Sequence, residues 1–255
     1  MNNSDALDAM EWFPHRILSG EDHYALLILN QPINEEIELF VKRNWTSSPL
    51  HIAVDGGANQ LKKLSDNVLE KCYIPEIICG DFDSATSEVL DFFKGKGTKV
   101  VHTPDQDETD FTKALRVTKE YVIENALQVS SILAIVRNGD RVDHMIGNLN
   151  TLFLARDIVS VPVFILGYNS LTWLLSPGHH KIHISQDMLD SHVGLIPLGK
   201  ECEDVSTTGL QWNLDHSKMK FGGLISTCNK FDGSEIVTVT TDTTLIWTME
   251  VKLTE

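Results

Sequence analysis

The chain has 255 residues and carries 21 Lys and Arg against 36 Asp and Glu, a formal net charge of −15. Such an excess of acid excludes a general nucleic-acid binder, which gains affinity by neutralising phosphates with basic side chains. With 42% hydrophobic and 22% charged residues the composition excludes a disordered or collagen-like chain, and the length predicts one or two domains.

Residues 1–22 read as a polar lead-in whose acidic start is neither a secretory signal nor an Arg-rich transit peptide. No apolar run approaches the roughly 20 residues of a membrane span. Four scattered cysteines, Cys72, Cys79, Cys202 and Cys228, have no metal-binding spacing and predict reduced thiols. The expectation is a soluble, cytoplasmic protein that binds neither nucleic acid nor membrane.

From Tyr24 the sequence alternates short aliphatic runs with helical patterns. The runs are Tyr24–Leu29, His51–Val54, Glu76–Cys79, Lys99–His102, Ser131–Val136 and Val161–Leu166. Between them Phe111, Ala114, Leu115 and Val122 share one helical face, and after the fifth run Val142, Met145, Ile146, Leu149 and Phe153 share another. This order predicts an α/β domain over residues 23–172, with a mainly parallel sheet flanked by helices. After Ser176-Pro177-Gly178 helical periodicity stops. Glycine-punctuated alternating segments follow, ending with Leu245, Trp247, Met249, Val251 and Leu253 on one face. Residues 173–255 therefore read as an all-β sandwich domain.

The aspartates cluster where predicted strands end. His51–Val54 runs into Asp55-Gly56-Gly57-Ala58-Asn59, and Glu76–Cys79 into Gly80-Asp81-Phe82-Asp83-Ser84. Lys99–His102 leads to Asp105, Asp107 and Asp110, and Ser131–Val136 leads to Arg141-Val142-Asp143-His144. Carboxyl ends of strands in an open α/β sheet share one edge, where ligands bind. Seven carboxylates (Asp55, Asp81, Asp83, Asp105, Asp107, Asp110, Asp143) are thus expected at one crevice. Their mutual repulsion calls for a bound cation, and an all-oxygen set suits Mg²⁺ with substrate phosphates.

Taken singly, each motif also suits a purely local role. Asp-x-Asp is common in turns, Thr109 and Asp110 suit a helix N-cap and first turn, and Gly56-Gly57 suits a tight turn. The coincidence of four clusters on one edge favours a site. No G-x-x-x-x-G-K-[ST] occurs and no G-x-G-x-x-G follows the first run, which excludes a P-loop kinase and a Rossmann dehydrogenase.

These motifs, together with Thr103-Pro104-Asp105-Gln106-Asp107-Glu108-Thr109-Asp110-Phe111-Thr112-Lys113, resemble the thiamin pyrophosphokinase family over most of the chain. Downstream, Gly194–Gly199, Thr207–Leu214, Ser226-Thr227-Cys228-Asn229 and Thr244–Met249 resemble its eukaryotic branch. The resemblance implies transfer of pyrophosphate from ATP to the hydroxyl of thiamin, giving thiamin diphosphate and AMP. It also implies a homodimer with active sites between subunits. By the same resemblance Asp81, Asp83 and Asp110 match the Mg²⁺-binding acids, and Asp55, Asn59, Gln106, Thr109 and Arg141 match positions around the nucleotide. Asp143, Trp212, Ser226 and Asn229 match the thiamin pocket. A carboxylate beside the incoming hydroxyl can act as general base, with Asp107 the candidate. One departure stands out: the family's Gly-Gly-x-x-Gly-Arg-x-Asp is here Arg137-Asn138-Gly139-Asp140-Arg141-Val142-Asp143.

Two alternatives belong to other classes. A nucleotide-sugar transferase would use Asp81-x-Asp83 for its metal but leaves Asp105–Asp110 without a role. A non-catalytic thiamin or nucleotide binder would need no complete acidic set.

Overall fold

The computed structural model describes residues 9–66, 73–136 and 141–253. The expected departure at Arg137–Asp140 lies outside the described residues, as does Cys72. In chain order the elements begin with β1 (Met10–Trp12), α1 (Pro14–Ser19), β2 (Tyr24–Ile28), α2 (Glu35–Asn44), β3 (Leu50–Val54) and α3 (Gly57–Asp66). There follow β4 (Ile77–Gly80), α4 (Ser87–Gly95), β5 (Lys99–His102), α5 (Asp110–Glu124), β6 (Ser131–Ile135), α6 (Val142–Ile158) and β7 (Val163–Leu166). The remaining strands are β8 (Ser170–Leu175), β9 (Gly178–His183), β10 (His192–Ile196), β11 (Cys202–Thr208), β12 (Ser217–Met219), β13 (Ser226–Lys230), β14 (Ile236–Thr241) and β15 (Leu245–Glu250).

The chain divides into two compact units. One comprises Ser19–Tyr168 with Leu253; the other joins the described part of Met1–Leu18 to Asn169–Lys252. In the first, strands lie in the order β7-β6-β2-β3-β4-β5. Every pairing is parallel, with registers such as Ile52 opposite Ile77 and Leu26 opposite Leu133. β2, β3 and β6 are buried along their whole length, which explains their continuous apolar text rather than alternation. Each fully buried Ile or Leu contributes roughly 1.5–3 kcal/mol relative to exposure. The helices between strands bury one stripe each: Ile37, Phe40 and Val41 on α2, Phe111, Ala114 and Leu115 on α5.

α6 departs from expectation in the face it buries. Its buried residues are Thr151, Leu152, Ala155 and Ile158, whereas Val142 is 69%, Met145 36% and Ile146 45% exposed. Periodicity marks an apolar stripe but does not supply a surface to cover it.

The second unit is built of two sheets, β1-β9-β14-β11-β12 and β13-β10-β15-β8. β15 pairs antiparallel with β8, placing Trp247 opposite Trp173, and its residues Leu245, Trp247 and Met249 are buried. Trp12 of β1 lies 5.7 Å from Trp173, and Trp173 lies 6.0 Å from Trp247, so the tryptophans join the two sheets. Part of the expected lead-in therefore has structure. Met10–Trp12 pairs parallel with β9, and the Trp12 indole N–H donates to His180 Nδ1 at 3.1 Å. Three residues are too few to display a strand period, so the anchoring tryptophan was not legible as one. No helix among the described residues is long and apolar enough to cross a membrane.

Candidate active site

The site is assembled where β3 and β4 end and α5 begins. Beyond β3 the chain turns through Asp55, whose φ of 46° is left-handed. Asp55 is buried, its N–H donates to Cys79 O at 2.7 Å, and its Oδ1 accepts from the N–H groups of Ser84 and Ala85 at 3.4 and 3.1 Å. Glycine is required on both sides of this turn. A Cβ on Gly57 would lie 2.0 Å from Ile28 O, and one on Gly80 would lie 2.8 Å from Asp55 Cβ. These glycines let the first turn of α3 and the end of β4 close around the carboxylate.

Beyond β4, Asp81 Oδ1 accepts from Asp83 N–H at 3.2 Å and Oδ2 accepts from Gln106 Nε2 at 2.9 Å. The Gln106 amide, then the Asp83 backbone, hold the Asp81 carboxyl below its ordinary range. Asp110 opens α5, where Thr109 is the N-cap and accepts from Thr112 N–H at 3.2 Å. The hydroxyls of Thr109, Thr112 and Thr151 meet within 3.0–3.2 Å, tying α5 to α6. Burial pushes the Asp110 carboxyl up; Lys113 opposes this, while Asp81 and Asp55 add to it.

Asp55, Asp81 and Asp110 bring one oxygen each to within 4.8 Å of one another. They line a crevice of about 530 Å³ together with Asp83, Gln106, Thr109, Lys113, Arg141 and Asp143. Arg141 and Asp143 form an exposed ion pair, whose hydrogen bonding holds Asp143 below its usual value.

The expected convergence of seven carboxylates is reduced to five. Asp105 and Asp107 do not line the crevice: Asp105 Oδ1 accepts from Asp107 N–H at 2.8 Å, a local turn that commits the Asp105 carboxylate to the loop's own backbone. Asp107, the expected base, is absent from the crevice lining. Asn59 is also absent from the lining; its amide donates to Ser84 O at 2.8 Å and accepts from Thr86 N–H at 3.2 Å, bracing the Asp83–Ala85 loop. The gathered triad is Asp55, Asp81 and Asp110; Asp83, which the resemblance places among the Mg²⁺-binding acids, lines the same crevice, exposed, with Oδ1 accepting from Ser84 Oγ. A Cβ on Gly147 would meet only Thr109 Cγ2 at 3.9 Å, so helix packing does not demand that glycine.

Lys113, Glu108 and Asn30 also line the crevice, though none was expected to have a role there. Lys113 had a usable signal, since it follows Asp110 by one helical turn and so shares its face. Asn30 had none.

In the second unit Trp212, Ser226 and Asn229 come together. Asn229, buried on β13, donates through Nδ2 to Trp212 O at 2.9 Å and to Ser226 Oγ at 3.3 Å. Its Oδ1 accepts from Trp212 N–H at 3.2 Å. Asn229 is therefore a clamp on a strand rather than a turn residue, and the clamped Trp212 is 57% exposed rather than a core tryptophan.

A parallel sheet with an acidic crevice at its carboxyl ends, joined to a β unit bearing an exposed aromatic, defines a two-unit α/β-plus-β protein with a candidate site for a cation and phosphates. The description "Thiamin pyrophosphokinase, catalytic domain" matches residues 41–163, and "Thiamin pyrophosphokinase, vitamin B1 binding domain" matches residues 179–246. The chain is 37% identical over 241 residues to thiamine pyrophosphokinase 3 of Oryza sativa subsp. japonica, covering 90% of this chain and 87% of the relative. It is 36% identical to thiamine pyrophosphokinase 2 of Arabidopsis thaliana, covering 91% and 87%. The fold is that of the thiamin pyrophosphokinase from Candida albicans, with a TM-score of 0.82 at 23% identity over 97% of this chain and 95% of the other. The chain belongs to the thiamin pyrophosphokinase family, enzymes that transfer pyrophosphate from ATP to thiamin. Neither the sugar-transferase nor the non-catalytic reading is favoured by these matches.

Proposed function

We propose that the acidic crevice holds the triphosphate with Mg²⁺ and that the Trp212 surface holds thiamin, so that the two units divide the substrates between them. The observation that carries this reading is the gathering of Asp55, Asp81 and Asp110 at the ends of β3 and β4 and the start of α5. Three carboxylates within 4.8 Å form the hard-oxygen set that suits Mg²⁺. When bound there, the ion neutralises phosphate charge, the main demand of phosphoryl transfer. Asp83 extends the acidic wall.

The protein's own groups do the rest. Gln106, Thr109 and the first N–H groups of α5 face the phosphates, where a helix start favours anions. Arg141 adds positive charge at the rim, and Asp143 beside it receives the thiamin end of the reaction. Trp212 stacks on the cationic thiamin rings. Ser226 and Asn229 fix the loop that carries the indole. Attack of the thiamin hydroxyl on the β-phosphorus expels AMP, catalysed by positioning and electrostatics.

The exposed apolar residues Val142, Met145 and Ile146 on α6, flanking Asp143, support assembly with a second copy, giving a homodimer with its active sites between subunits. Ile146→Lys then yields a monomer by light scattering with loss of turnover; a dimer that retains activity would count against this assembly. The cytoplasm, where both substrates meet, is the proposed compartment. The reading as a whole is tested by Mg²⁺-dependent release of AMP and thiamin diphosphate from ATP and thiamin. Wild type should turn over and Asp81→Ala should not; release of ADP instead of AMP would overturn it.

A further inference from the structure

Lys113 is a buried cation inside the acidic crevice, with a side chain only 5% exposed. Its Nζ donates to the main-chain oxygens of Thr103 and Asp105, both at 3.0 Å, and lies 2.7 Å from Asp110 Oδ1. Asp81 Oδ2 stands at 4.0 Å. The two carbonyls are its hydrogen-bond acceptors, and Asp110 is its ion-pair partner. Lysine is almost never buried without such pairing.

Three carboxylates and one ammonium leave the cluster with two negative charges, the complement of one divalent cation. We propose that Lys113 is a resident counter-ion that sets this balance. It lets the three carboxylates coexist while the cluster is without metal, and it keeps the affinity for a free divalent cation low, so that the cation enters with the nucleotide. This rests on the reading of the cluster as a metal site.

The positions of Asp55 and Asp110 do not depend on Lys113. Asp55 and Asp81 are carried by strand ends, Asp55 is further held by the Ser84 and Ala85 N–H groups, and Asp110 is fixed by the start of α5. What depends on Lys113 is the charge and the path of the loop from Thr103 to Asp105. Affinity for divalent ions rises with the negative charge of the ligand set. Removing the ammonium adds one net negative charge to the cluster and therefore tightens binding of a free cation.

The test is titration of nucleotide-free protein with Mn²⁺, following free Mn²⁺ by electron paramagnetic resonance. Lys113→Met should bind Mn²⁺ on the order of tenfold more tightly than wild type at low salt. Lys113→Arg, which keeps the charge, should bind Mn²⁺ as wild type does. Binding by Lys113→Met that is weaker than or equal to wild type overturns the proposal, because a purely structural lysine predicts that result. If Lys113→Met fails to fold by circular dichroism, Lys113→Gln is judged by the same criterion. Asp110→Asn separates the two levels: if it leaves wild-type Mn²⁺ binding unchanged, the metal reading itself has failed.

Discussion

The side-chain amide of Gln106 donates to Asp81 Oδ2 across 2.9 Å, linking the loop before α5 to the carboxylate at the end of β4. Such outer partners orient a ligating carboxylate, and losing one typically costs about 10–100-fold in metal affinity or activity. Gln106→Leu should lower kcat/KM by about that factor with an unchanged circular dichroism spectrum. Full activity in that variant would show that Asp81 is held by other means.

Gly57 carries a packing constraint rather than a chemical one. Its missing Cβ would lie 2.0 Å from Ile28 O, a main-chain atom that cannot step aside. Gly57→Ala should destabilise the fold by about 1–3 kcal/mol, the usual cost of overpacking. Urea denaturation measures it, and a shift below about 0.5 kcal/mol would contradict the close approach.

Trp212 should separate binding from stability. Because the indole is 57% exposed, Trp212→Ala should leave the urea midpoint nearly unmoved, within about 0.5 kcal/mol. Loss of a cation–π stack worth about 0.5–2 kcal/mol should raise the thiamin KM several-fold, with the ATP KM unchanged. Asn229→Ala, which frees both backbone groups of Trp212, should raise the thiamin KM and also destabilise the β unit.

A pH effect is expected far from the crevice, at Glu76. Burial works to raise its carboxyl, but hydrogen bonds and charge from His51, whose Nδ1 lies 2.9 Å from Glu76 Oε2, outweigh this and hold it below the ordinary glutamate value. A carboxyl depressed in the folded state contributes stability that is present above its unfolded pKa, about 4.3, and is lost as pH falls through the folded value. Glu76→Gln should therefore lower the urea midpoint at pH 7, and the gap to wild type should close as the medium is acidified below about pH 4. A gap that widens in acid would reverse the sign of this linkage.

The sequence was most informative where chemistry and period are both local. Leu26, Leu27, Ile52 and Ile78 read as strand residues because a sheet covered on both faces demands continuous apolar text, and they are fully buried in one. Asp81, Asp83 and Asp110 read as a site because carboxylates at successive strand ends share an edge. Asp105 read the same way and does not line the crevice, since a short loop can turn a carboxylate onto its own backbone without changing the motif. The apolar period of α6 was legible, but the face it buries was not.

By itself, then, the sequence determined an α/β unit followed by a β unit, an acidic strand-end edge, and membership of a family through motifs whose order survives divergence. Only the tertiary structure decided that Asp55 stands beside Asp81 and Asp110, that Lys113 is buried among those acids, and that Asn229 clamps an exposed Trp212. The physical reason is range. Strand and helix periods, caps and turns act over a few residues and leave their pattern in the text. Convergence of Asp55, Asp81 and Asp110 brings together the ends of two strands and the start of a helix, and is set by sheet register and by the close approach at Gly57 and Gly80.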